Sequence, residues 1–146
     1  MNTEIKTKKV LQDNTVSVKL KIGSIWVSFM FLYVYVDYFQ LYMPNKIEEI
    51  QRGKVFLFDI TQGFIFTALS LATIPILMIF LSVTLKAKAN RLINLIIATT
   101  LIPYMLLNLA GEAWPHMIFA AVVEITLLCL IIYFAWKWPS DKTVRA

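Results

Sequence analysis

The chain has 146 residues, 59% of them hydrophobic and 16% charged, with one cysteine and a net charge of +5. A soluble domain is nearer half apolar and a quarter charged, so an ordinary soluble domain is excluded. The lone Cys129 excludes an intramolecular disulfide and any thiol-pair or cysteine-cluster zinc chemistry, and the four scattered glycines leave no phosphate-cradling loop.

Residues 1–21 form a basic tail carrying Lys6, Lys8, Lys9, Lys19 and Lys21. Each lysine near an anionic bilayer surface is worth about 1 kcal/mol, although a tail that only enforces topology is the simpler and preferred account of them. Four apolar windows follow, at about 22–43, 61–85, 91–110 and 116–138. Each approaches or exceeds the roughly 20 residues that a helix needs to cross the hydrocarbon. None alternates as a membrane β-barrel strand must. The expected fold is therefore all-α: an antiparallel bundle of four transmembrane helices occupying residues 22–139, followed by a short tail over 140–146.

Between the first two windows, NKIEEIQRG (45–53) predicts a short external amphipathic helix. Asn45 is placed to cap it, Gly53 to end it, and Glu48 and Arg52 stand four apart on one face. Phe56, Leu57 and Phe58 then return the chain to the interface, so the segment reads as an interfacial connector rather than a lid. Pro75 and Pro103 lie inside the second and third windows and free the carbonyls of Leu71 and Thr99. Ser70, Thr73 and Thr100 are near enough in sequence to satisfy that backbone.

Eleven of the fourteen basic residues fall in the two tails, at the window edges beside them and in the loop between the second and third windows; Lys46, Arg52 and Lys54 alone fall on the other side. The positive-inside rule then puts both termini in the cytoplasm and the first loop outside. Trp26, Trp136 and Trp138 are expected at the inner interface and Trp114 at the outer. The same rule accounts for the basic residues without invoking nucleic acid. At the start of the third window, NRLIN (90–94) sets Arg91 to meet lipid phosphate or cap the preceding helix.

Two carboxylates lie within the apolar windows. At 1.5 Å per residue, Asp37 is about 9 Å deep from the outer end of the first and Glu124 about 12 Å deep in the fourth. An ionised acid near a span centre costs about 2.5–3.5 kcal/mol on insertion scales, so both should face the bundle interior. Tyr33, Asp37 and Gln40 share one helical face, as do Thr100, Tyr104 and Asn108 on the third window. Gln62, Thr67 and Ser70 belong to the second, and Ala120 and Ala121 would let a neighbour approach Glu124 closely. The predicted binding cluster is Asp37, Glu124, Tyr33, Gln40, Tyr104 and Asn108. His116 reads as an interfacial histidine at a helix start, and Cys129 and the methionines as packing residues.

The segments around YVYVDYFQL, with IPILMIFLSVTL, NRLINLI and VVEITLLCLIIYFAWKW, resemble a family of small uncharacterised bacterial four-helix membrane proteins that is loosely DoxX-like. The resemblance runs over about residues 20–139. It implies a four-helix protein of the bacterial inner membrane with acids in the first and last spans, where Asp37 and Glu124 stand, and it brings no defined activity. No catalytic constellation, cofactor motif or metal-ligand set accompanies the acids. Two functional classes follow. One binds or transports a small molecule, ion or proton at the outer-leaflet cluster. The other is a non-catalytic subunit or assembly factor of a membrane complex, or a homo-oligomer, in which the acids bond neighbouring helices together. The lipid bilayer is the partner common to both.

Overall fold

The first helix starts where a hydroxyl can satisfy an orphan backbone donor: Ser17 Oγ accepts from the Leu20 amide at 3.3 Å. From there the computed structural model, which describes residues 15–55, 57–110 and 113–139, runs through seven elements. They are α1 (Val18–Gln40), α2 (Lys46–Gln51), β1 (Lys54–Val55), β2 (Phe58–Asp59), α3 (Gln62–Thr84), α4 (Ala87–Leu107) and α5 (Pro115–Trp136). The tail residues Lys6, Lys8, Lys9, Lys142 and Arg145, and also Phe56, lie outside the described residues. The fold is all-α apart from the two-residue hairpin, and α1, α3, α4 and α5 are each long and apolar enough to cross a membrane.

Helix ends depart from the apolar windows where a local bond or backbone turn sets them. The α1 helix begins four residues before its window, carrying Lys19 and Lys21 within the helix. The α4 helix begins at Ala87 rather than Arg91, because Lys86 is extended and the coil closes directly after it. Thr61 Oγ1 accepts from the Phe64 amide at 3.1 Å and starts α3. The short α2 forms as its sequence predicts, but Asn45 does not cap it through its side chain; it sits in the left-handed region at φ 65°. Gly53 ends it at φ 73°, a conformation that glycine adopts without penalty. The Arg52–Glu48 pair forms at 3.4 Å on the exposed face. Lys54 and Val55 then pair antiparallel with Asp59 and Phe58, a hairpin that the sequence reading lacked.

Packing is uneven along the bundle. The α1 helix lies against both α3 and α5, α4 lies against α5, and α3 and α4 touch only lightly. On α1 the buried residues are Ile22, Gly23, Trp26, Phe29 and Met30, all toward its start; on α3 they are Pro75, Met78 and Ser82, all toward its end. The α5 helix is buried along its length, through Met117, Ala121, Glu124, Leu128, Ile131 and Ala135 in steps of four and three, and α4 more sparsely, through Asn90, Asn94, Ala98 and Met105. The bundle is thus tight at the α3–α4 turn and loose at the α2 end. A Cβ on Gly23 would stand 3.2 Å from Val83 Cγ1, so glycine is what lets α1 and α3 meet so closely there.

A buried polar tie closes the tight end. Trp26 Nε1 of α1 donates to Asn94 Oδ1 of α4 at 2.7 Å, and the same oxygen accepts from Ser82 Oγ of α3 at 3.3 Å. Asn94 Nδ2 donates to Asn90 Oδ1 at 2.6 Å and to the Asn90 carbonyl at 2.9 Å, while Asn90 Nδ2 donates to the Ser82 carbonyl. Trp26, Ser82, Asn90 and Asn94 are all fully buried. Trp26 is therefore a core residue, and NRLIN supplies the tie, with Asn90 rather than Arg91 bonding a carbonyl in the last turn of α3. Arg91 stacks its guanidinium over Trp136 at 5.9 Å, and Lys21 and Lys137 lie over Phe134 and Tyr133 at 5.5 and 4.9 Å. Cys129 is exposed on the bundle's outer surface, not packed inside.

The proline neighbours behave differently from expectation. Ser70, Thr73 and Thr100 donate to the carbonyls of Phe66, Leu69 and Ile96, each four residues back, and not to those freed by Pro75 and Pro103.

Asn94→Leu should leave the Trp26 N–H and the Ser82 hydroxyl without their acceptor in the core. Thermal unfolding of the purified protein in mild detergent should show a loss of about 1–3 kcal/mol. Ser28→Ala, which loses only a bond to the Ser24 carbonyl of its own helix, should melt as wild type does.

Candidate functional site

The buried stripe on α1 changes chemistry halfway along. Ile22, Trp26 and Phe29 fill the tight end; at the same helical spacing, Tyr33, Asp37 and Gln40 continue it toward α2. Aromatic contacts join the two halves. Trp26 meets Phe29 edge-on at 5.7 Å between centroids, and Phe29 stacks with Tyr33 at 6.3 Å.

Beyond Tyr33 the helices diverge around a cleft of about 710 Å³. The α1 helix contributes Tyr33, Asp37 and Gln40, α3 contributes Phe64, Thr67 and Leu71, α4 contributes Tyr104, Met105 and Asn108, and α5 contributes Met117, Ala121 and Glu124. All six residues of the predicted cluster therefore line one cavity. The approach of α3 to this end is slack, since none of its residues from Gln62 to Thr73 is buried. Three expected neighbours are elsewhere: Thr100 is exposed on α4, and Gln62 and Ser70 do not line the cleft. Ala120 and Ala121 are buried beside Glu124 as the close-approach reading requires.

The two acids differ in setting. Glu124 is only 5% exposed, held on the continuous buried stripe of α5, and Asp37 is accessible on the cavity wall. Each lies within electrostatic range of the other, and the Tyr33 hydroxyl lies within range of both and approaches that of Tyr104. Among the described residues no hydrogen bond or ion pair reaches either carboxylate. No group of three or more His, Cys, Asp or Glu side chains that could hold a metal occurs among the described residues.

The connector between α1 and α3 turns out to be part of the wall. Lys46, Val55 and Phe58 line the same cleft. Lys46 is nearly buried, and its Nζ bonds Glu49 Oε2 at 3.1 Å, one turn along α2. A smaller recess of about 70 Å³ lies between Asp37, Gln40 and the α2–hairpin segment. Counting Lys46 only as a loop charge missed this. His116 sits in the first turn of α5 with Nε2 buried and no hydrogen-bond partner among the described residues. The Tyr38 and Tyr42 hydroxyls meet at 2.6 Å within an aromatic patch at the end of α1.

A family model described as a family of unknown function (DUF6326) matches residues 10–145. No curated protein and no solved structure matches the chain.

With Cys129→Ser as background, Asn108→Cys and Gln40→Cys should react readily with a water-soluble maleimide in the purified protein. Ser82→Cys, in the buried tie, should react only after unfolding. Equal reactivity at all three positions would mean that the cleft and the tie are equally open to water.

Proposed function

The chain belongs to the DUF6326 family, and from that premise we propose that it is a multi-pass membrane protein that binds or transports a small molecule, ion or proton in the polar cleft. One observation carries the reading: Glu124, 5% exposed, lines a roomy cavity with no hydrogen-bond partner among the described residues. A carboxyl kept to bond helices together would spend its oxygens on neighbouring donors, as Asn94 does at the other end of the bundle. Glu124 and Asp37 instead present theirs to open space, at the insertion cost that makes intramembrane acids functional candidates. Small-molecule sites of about 300–1,000 Å³ with an apolar lining and a few convergent polar groups are the common pattern.

The charge asymmetry supports an orientation with both termini in the cytoplasm and the cleft opening through the outer leaflet. The sequence resemblance supports a bacterial inner membrane as the setting. In intact cells, a membrane-impermeant thiol reagent should then label Asn108→Cys in the Cys129→Ser background. It should fail to label Lys88→Cys at the opposite end until the membrane is opened.

The function is tested by the thermal stability of purified protein against a panel of small cations, anions and neutral compounds. A ligand at about 100 times its Kd should stabilise wild type by about 2.7 kcal/mol. The same ligand should leave the Asp37→Asn/Glu124→Gln double variant unmoved. Compounds that shift both proteins alike, or none that shifts either, would leave the acids as structural groups.

A further inference from the structure

Resting on that reading, we propose that the cleft takes an organic cation with an apolar body, its charge held between Asp37 and Glu124 and its body against aromatic rings. The charges of the lining carry the sign. Two carboxylates face the space, and the single cation lining it among the described residues, Lys46, is already bonded to Glu49. An anion would meet both acids at short range in an environment of low dielectric, where repulsion is strongest.

The size and lining carry the chemical class. A proton or a bare inorganic ion needs no space of about 710 Å³. A hard divalent cation requires about six oxygen ligands, and no cluster of three acidic, histidine or cysteine side chains exists among the described residues. Tyr33, Tyr104, Phe58 and Phe64 line the same space, and aromatic faces attract organic cations. Glu124 is the deep counter-ion: more than nine-tenths buried, without a donor among the described residues, and on the helix with the longest buried stripe. Asp37, accessible on the facing wall, is the group a cation meets first.

Tetraphenylphosphonium and tetraphenylborate have nearly the same shape and opposite charge, so they isolate the sign. Equilibrium dialysis with purified full-length protein in mild detergent should show saturable binding of the phosphonium and none of the borate. Glu124→Gln and Asp37→Asn should each weaken the phosphonium by about tenfold or more. A second measurement keeps both acids intact: in the Cys129→Ser background, bound phosphonium should slow maleimide labelling of Asn108→Cys, and the borate should not. If the borate, or only neutral or anionic compounds, bind in an acid-dependent way and protect Asn108→Cys, the cation assignment fails while the binding cavity stands. If no compound of any charge protects Asn108→Cys or distinguishes the acid variants, both readings fail.

Discussion

The bond from Trp26 Nε1 to Asn94 Oδ1 organises the rest of the molecule. Lipid tails are as apolar as leucine, so hydrophobic burial alone gives these helices little reason to prefer one another over the bilayer. Specific partners must come from close packing and from polar groups that have nowhere else to go. The Trp26–Asn94 bond joins α1 to α4, and Ser82 brings in α3 through the same oxygen. Once three helices are registered at that end, α5 is held by its own stripe and by Lys21 of α1 and Arg91 of α4 lying over its aromatic rings. The rotation of α1 is then set, and with it the direction in which Tyr33, Asp37 and Gln40 point.

The contrast between the two polar groupings is what distinguishes structure from function here. At the tight end every amide and hydroxyl in the tie has a partner, and the groups are fully buried. At the other end a buried acid and an accessible one share a cavity and no bond reaches them among the described residues. Interhelical hydrogen bonds in membranes contribute about 0.6 kcal/mol on average. The bundle spends its polar residues in two ways, one closed upon itself and one left open.

Much of this was legible in the amino-acid order, and what was not has a physical reason. Long apolar windows and their breaks fix four helices because a bilayer demands an unbroken hydrogen-bonded span. The depth of Asp37 and Glu124 follows from counting residues along those spans. Helix rotation does not follow, because residues that are apolar all round leave no periodicity to read. That is why Thr100 was grouped with Tyr104 although it faces outward, and why the place of Trp26 in the core was missed. The role of Asn94 depends on a tryptophan 68 residues away, a pairing that local pattern cannot supply. Lys46 was hidden for a related reason: an exposed loop lysine and one folded over a cavity mouth have the same sequence signature.

The uneven packing also makes the bundle a lever. Ser82, where α3 is fastened, lies about 30 Å along the helix from Gln62 at its free end, at 1.5 Å per residue. Rotating α3 about that fastening displaces the far end by about 0.5 Å for each degree. A tilt of about 6° at the tie would therefore alter the width of the opening by about 3 Å. The same architecture that makes one end rigid gives the other mechanical gain.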